Sequence, residues 1–170
     1  MLRFEALDEH HDLTLFNSGE HSLDHWLRRY AFANQSIGSS RTYVVVDAEE
    51  DPSVVLGYYS LTVASVDHAD VPAGVTEGMP AYPIPVVLLA RLAVDLKHQG
   101  QRIGTALLGD ALVRTLQVAD LVGVRALLVH ALNESARDWY LSVAEFEPSP
   151  THERHLLLLM RDIEVADAQS

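Results

Sequence analysis

The stretch Gln99-Gly100-Gln101-Arg102-Ile103-Gly104-Thr105 places two glycines where an apolar strand gives way to a helix N-terminus. The first turn of a helix leaves backbone N–H groups unpaired, and the helix dipole favours negative charge there, so a diphosphate could sit on this turn. Gly100 and Gly104 would let such a ligand approach the main chain closely. The turn is neither a dinucleotide-binding nor a Walker loop, and taken alone its residues read equally well as a structural glycine turn. Arginine offers a second phosphate chemistry, because its planar fork bonds two oxygens at once. Of the 12 basic residues only Lys97 is lysine. Arg28 and Arg29 on the first helix, Arg41 before a hairpin and Arg91 on an apolar strand could converge on one side of a cleft; the alternative is scattered, solvated or ion-paired arginines. With no cysteine, a thiolate nucleophile, disulfides and thiolate-rich zinc sites are excluded. Nine histidines lack any His-Glu-x-x-His or clear paired-ligand spacing, so no metal is expected, and His10-His11 and His152…His155 read as surface residues.

The elements that must position these residues follow from the apolar pattern. Ser18 to Tyr30 reads as a helix capped by Ser18, with Leu23, Trp26, Leu27 and Tyr30 on one inward face. Thr42–Asp47 and Val54–Val66 are β-branched and aromatic runs joined by turn chemistry, hence an antiparallel hairpin. The Pro- and Gly-rich stretch Val71–Pro85 is a long excursion holding at most a short helical turn. Val86–Val94 is a central strand, Thr105 to about Leu121 a largely buried helix ended by Gly123, and Ala126–Ala131 another buried strand. Asn133 opens a short helix from Glu134 to Val143, and His155–Ile163 is a last strand. Strand, glycine turn, helix, strand is a βαβ crossover, so the fold class is α/β or α+β with a mixed sheet flanked by helices.

The 170 residues suit a single domain, with 48% hydrophobic and 21% charged types. A net charge of −12 opposes loose binding to polyanions or anionic lipid, so any nucleic-acid contact must be local. The acidic N-terminal residues do not suit a signal peptide, and no apolar run approaches the roughly 18 residues of a membrane span. A cytoplasmic protein with no membrane partner is expected.

Arg91-Leu92-Ala93-Val94-Asp95, then Gln99-Gly100-Gln101-Arg102-Ile103-Gly104, then a long Ala/Leu helix, resembles the acyl-CoA-binding core of the GNAT superfamily of N-acetyltransferases. The superfamily turn commonly reads Gln/Arg-x-x-Gly-x-Gly/Ala. Gln99 and Gly104 match its outer positions, and Arg102 stands where the middle glycine is expected; its side chain could clash there or pair with a phosphate. Further segments are similar to the GNAT toxins of bacterial toxin–antitoxin pairs: Leu23-Asp24-x-Trp26-Leu27, Ser39-x-Arg41-Thr42-Tyr43-Val44, Gly57-Tyr58-Tyr59, Pro83-Ile84-Pro85-Val86-Val87 and Gly123 to Leu132. The resemblance covers almost the whole chain. It implies a single GNAT domain over 1–170 with its sheet splayed at an acetyl-CoA cleft. It also implies an enzyme that moves acetyl from acetyl-CoA to the α-amine of an aminoacyl-tRNA, and so stops translation, and a ribbon-helix-helix antitoxin that holds it silent. A homodimer is a further expectation. A GNAT enzyme of a small amine or protein N-terminus, and a degenerate acyl-CoA- or antitoxin-binding module, are the competing readings.

Carried over by that resemblance, main-chain groups of Leu92, Ala93 and Val94 pair with the pantetheine arm, and the turn from Gln99 through Gly100, Gln101, Arg102, Ile103 and Gly104 to Thr105 binds the pyrophosphate. Asn133 holds the CoA arm, caps a helix, or does both. Tyr140, seven residues after Asn133 and on the same helical face, is the general acid for the departing thiolate. A phenol with a pKa of about 10 keeps its proton at neutral pH and can yield it as a thiolate of pKa about 8.5 forms. Arg28, Arg29, Arg41 and Arg91 form the tRNA contact. Asp95, His130 and Glu134 are candidate bases by sequence proximity only. The family often reads Tyr-x-x-x-Gly-Phe-x-Pro-Ser after its tyrosine; here Glu145 replaces the glycine with one residue inserted before it.

Overall fold

The computed structural model describes residues 1–163; 164–170, the tail of the expected domain, lie outside the described residues. Leu2–Ala6 forms β1, His21–Trp26 α1, Phe32–Ser36 α2, Arg41–Asp47 β2 and Gly57–Val66 β3. After Ala73–Thr76 (α3) come Ile84–Val94 (β4), Ile103–Ala119 (α4), Ala126–His130 (β5), Glu134–Val143 (α5), Glu147–Pro148 (β6) and His155–Leu159 (β7). The strands lie in one sheet in the order β1-β2-β3-β4-β5-β7-β6. β4 and β5 pair in parallel and β1–β2, β2–β3, β5–β7 and β6–β7 antiparallel, so the sheet is mixed as expected. No helix among the described residues is long and apolar enough to cross a membrane.

Two compact units divide the described residues: 1–62 with 90–111, and 63–89 with 112–163. The core of the first gathers Leu7, Phe16, Trp26, Leu27, Ala31, Val44, Val46, Val55, Tyr58 and Ala93. The second packs Val71 and, from α3, Val75 against Ile84, Val86, Ala126, Leu128, Leu157 and Leu159, alternate residues of β4, β5 and β7 that share one sheet face.

The first helix departs from the α-helical pattern. It starts at His21 without a side-chain cap, and Ser18 instead gives its N–H and hydroxyl to the buried Asp24 carboxylate. It then runs on through a π-helical turn, Leu27–Ala31, into α2. The wider turn rotates Ala31, not Tyr30, onto the inward face: Ala31 is fully buried and Tyr30 is exposed. Three further expectations are corrected. α4 ends at Ala119 rather than at Gly123, which is not among the positive-φ glycines. β7 stops at Leu159, where residues 160–163 turn helical and bury Ile163. His11 is enclosed rather than on the surface, donating through Nε2 to Glu5 at 2.7 Å while Nδ1 accepts the Asp8 N–H.

Gly57 opens β3 at a close approach. A Cβ there would lie 2.8 Å from Leu107 Cδ1 and 3.0 Å from the Ala93 carbonyl oxygen. Gly57→Ala is expected to destabilise the fold by about 1–3 kcal/mol through overpacking, read as a lower urea midpoint at unchanged m-value.

Candidate active site

In the first unit, β4 carries Arg91, Leu92, Ala93 and Val94 into the turn at Leu96–His98, whose N-cap is the buried Asp95. The Asp95 carboxylate accepts the N–H groups of Asn17 and Lys97, so it is held as a structural cap and not as a free base. Gln99 spends its side-chain amide on two carbonyls, Val94 at 2.9 Å and Ser18 at 3.0 Å, which ties the turn to the end of β4. Gly100 has φ +79° and Arg102 φ +63°; Arg102 is the one positive-φ residue other than glycine among the described residues. The exposed Gln101 and Arg102 lead into α4, where Ile103 is buried and Gly104 and Thr105 fall in the first turn.

The arginines divide. Arg91 is half-buried with its guanidinium carbon 4.1 Å above the Trp26 ring, and Trp26 stacks on Tyr58. Burial lowers the pKa of Arg91, while the Tyr58 phenol beside it acts in the opposite direction. Arg28 is exposed but donates to the Phe16 carbonyl at 2.6 Å, and Phe16 meets Tyr58 edge-on. Arg28 and Arg91 thus border one aromatic cluster. Arg29 is exposed on the π turn and Arg41 at the start of β2, where it pairs with Leu61.

In the second unit, Asn133 Oδ1 accepts the Ala136 N–H at 2.9 Å and caps α5, and its side-chain amide N–H groups have no partner among the described residues. Tyr140 is buried, edge-on to Trp139 at 4.9 Å and to Phe146 at 5.6 Å between centroids. Burial alone pushes its pKa above the ordinary phenol value. No described residue hydrogen-bonds its hydroxyl. Glu134 is exposed in the first turn of α5, and His130 lies stacked on His155.

A glycine turn leads into the long helix α4 in the first unit, β4 outruns its parallel pairing with β5, and in the second unit a buried tyrosine lies on the helix that follows β5. The acetyltransferase (GNAT) family matches residues 5–146, across both units. The chain belongs to the GNAT family. It is 51% identical over 151 residues to a tRNA-acetylating toxin of Mycobacterium tuberculosis, covering 89% of this chain and 87% of that one. Among solved structures it is similar to AtaT complexed with acetyl-methionyl-tRNAfMet, at TM-score 0.89 and 31% identity over 98% of this chain and 99% of that one. A mutant AtaT toxin bound to the C-terminus of the antitoxin AtaR and acetyl-CoA superposes at TM-score 0.82 and 30% identity, covering 97% of both chains.

As a GNAT chain it departs from the family pattern at two places, and both have a physical account. Arg102 occupies the middle-glycine position in the left-handed conformation that glycine adopts freely, at a cost of about 1–2 kcal/mol for a side chain. After Tyr140 the inserted residue is absorbed by an extended Ala144, and Phe146 still returns to the Tyr140 ring. Sequence reasoning missed Trp26 as the platform of Arg91, because an i, i+3, i+4 stripe marks it only as core.

Proposed function

We propose that the chain is one GNAT domain that transfers acetyl from acetyl-CoA to the α-amine of an aminoacyl-tRNA, as the toxin of a toxin–antitoxin pair. The likeness to the mycobacterial tRNA-acetylating toxin over most of both chains is the observation that carries the acceptor class. The chemistry rests on residues of this chain. The parallel register of β4 with β5 ends at Leu89↔Val129, whereas β4 runs on to Val94. Main-chain groups of Leu92, Ala93 and Val94 then take the pantetheine arm as an added strand and offer an amide to the acetyl oxygen. The N–H groups from Gly100 to Thr105 receive the diphosphate, and Asn133 contributes its free amide to the CoA arm.

Acetyl-CoA supplies an activated thioester. The neutral α-amine nitrogen attacks the carbonyl carbon, a tetrahedral oxyanion forms, and the C–S bond breaks. Tyr140 gives its proton to the leaving sulfur, and the proton lost from nitrogen returns to the phenolate. An α-amine of pKa about 7.7–8.0 is partly neutral at physiological pH, so no strong base is required. Arg28, Arg29, Arg41 and Arg91 hold the acceptor's phosphates, a ribbon-helix-helix antitoxin silences the enzyme, and a homodimer acts in the cytoplasm where charged tRNA is found.

The test is a cell-free translation reaction. Protein plus acetyl-CoA is expected to stop synthesis, either one alone is not, and fresh aminoacyl-tRNA added after removal of the enzyme restores it. Synthesis that continues with both present contradicts the proposal. Within the same reading, Arg102→Gly removes both the strained conformation and the guanidinium. It is expected to raise KM for acetyl-CoA about 10-fold, the scale of one charge-assisted hydrogen bond, with KM for acetyl-pantetheine unchanged.

A further inference from the structure

His130, His155 and His152 form a ladder in the second unit. His130 and His155 face each other across the β5–β7 register with ring centroids 3.9 Å apart and 13° between planes. His155 and His152 follow at 4.4 Å and 7°. Thr151 fixes the outer end: its hydroxyl donates to Asp70 Oδ1 at 2.7 Å and lies 2.9 Å from His152 Nδ1, whose N–H it accepts. Burial first, and the adjacent rings second, lower the pKa of His130 and His155, so these two rings are neutral at neutral pH and stack without repulsion.

The ladder lines a pocket of about 260 Å³ together with Leu88, Leu128, Leu157 and the acids Asp67 and Asp70. That is below the roughly 300–1,000 Å³ of pockets that enclose drug-sized ligands, so it suits a single planar group and not a cofactor. The loop bearing His152 is stitched to the chain around α5: Arg137 Nε donates to Glu153 O at 2.7 Å, Ala131 N to Arg154 O at 2.8 Å and Arg154 to Leu132 O at 3.2 Å. Arg137 lies about one turn before Tyr140 on that helix.

We propose that this pocket seats an unpaired nucleobase of the acceptor, stacked on the histidine ladder. This rests on the aminoacyl-tRNA reading. The 3′ end of such an acceptor is single-stranded, and unpaired bases are taken up by stacking on aromatic rings, histidine included. The exposed Asp67 carboxylate can accept from the exocyclic amine of cytosine or adenine, an acceptor role that acids play toward bases. Two carboxylates on the rim suit a base and disfavour a phosphate there.

The test has a binding arm and a kinetic arm. The unacylated trinucleotide CCA is titrated into the full chain while the ring signals of His130, His152 and His155 are followed by NMR, with an abasic trimer as control. CCA is expected to shift them and the abasic trimer is not. In the kinetic arm, the ratio of kcat/KM on aminoacyl-tRNA to that on the corresponding amino-acid ethyl ester falls about 10-fold in His152→Ala and returns in His152→Phe, which keeps an aromatic face. His152 is exposed, so thermal unfolding of both variants matches the parent. No CCA shift, an abasic shift as large as that of CCA, or an unchanged ratio overturns the proposal, as does a change in amino-acid preference alone. A base-dependent shift in a protein that acetylates no aminoacyl-tRNA leaves the base site standing and rejects the function.

Discussion

Tyr140→Phe is expected to lower kcat by about 10²–10⁴-fold, the range of a positioned general acid, with the Kd for acetyl-CoA unchanged. The substitution is clean. The ring packs edge-on between Trp139 and Phe146 in either residue, and no described residue hydrogen-bonds the hydroxyl, so its removal orphans no buried partner. Folding stability should therefore hold within about 1 kcal/mol. The sign of the pKa shift also separates acid from base. Burial raises the Tyr140 pKa, so the phenol stays protonated throughout the working pH range. The parent rate should rise as the α-amine deprotonates near pH 7.7–8.0 and show no falling limb below about pH 10. A rate that Tyr140→Phe leaves intact in single-turnover measurements would remove the acid role.

Arg91→Met carries the second large effect. The guanidinium sits half out of water on Trp26, and among the described residues no carboxylate pairs with it. In the proposed function, this stacked and partly desolvated cation meets a phosphate that arrives with the substrate. Methionine keeps an unbranched apolar stem over the indole and removes the charge. kcat/KM on aminoacyl-tRNA should fall about 10- to 100-fold, and the slope of log(kcat/KM) against log[salt] should flatten by about 0.7–0.9 for one lost phosphate contact. KM for acetyl-CoA should not move. Stability should change by no more than the roughly 2 kcal/mol of a partly desolvated cation–π contact. Arg91→Lys keeps the charge without the planar fork and should fall between the two. Equal losses toward both substrates would instead mark Arg91 as a packing residue.

Legibility in the sequence followed the length scale of each feature. The hairpin β2–β3, the parallel pair β4–β5 with α4 between them, and the Asn133 cap were readable because their period, turn residues and caps are local. β1 was not, since Leu2–Ala6 is short and gains strand character only by lying against Tyr43–Asp47. The π turn at Leu27–Ala31 was equally hidden: a 3.6-residue period places Tyr30 inside, and only packing against the sheet selects Ala31 instead. At the active site, residue types and order were visible while commitments were not. Gln99 reads as a cofactor contact, yet its amide is engaged by Ser18 and Val94, partners that depend on the folded turn. Arg102 shows why the family prefers glycine there, through a backbone angle that no side-chain pattern encodes. The histidine ladder joins positions 130, 152 and 155 through a strand register, so spacing along the chain could not reveal it.

The most direct measurement incubates the parent and Tyr140→Phe proteins with acetyl-CoA and a mixture of charged and uncharged tRNAs, and reads the masses of the released aminoacyl ends. One added acetyl group is expected on the α-amine of charged tRNA with the parent, nothing on uncharged tRNA, and a loss of at least about 100-fold in the variant. Acetyl-CoA turnover that leaves every aminoacyl end unmodified would contradict the proposed function.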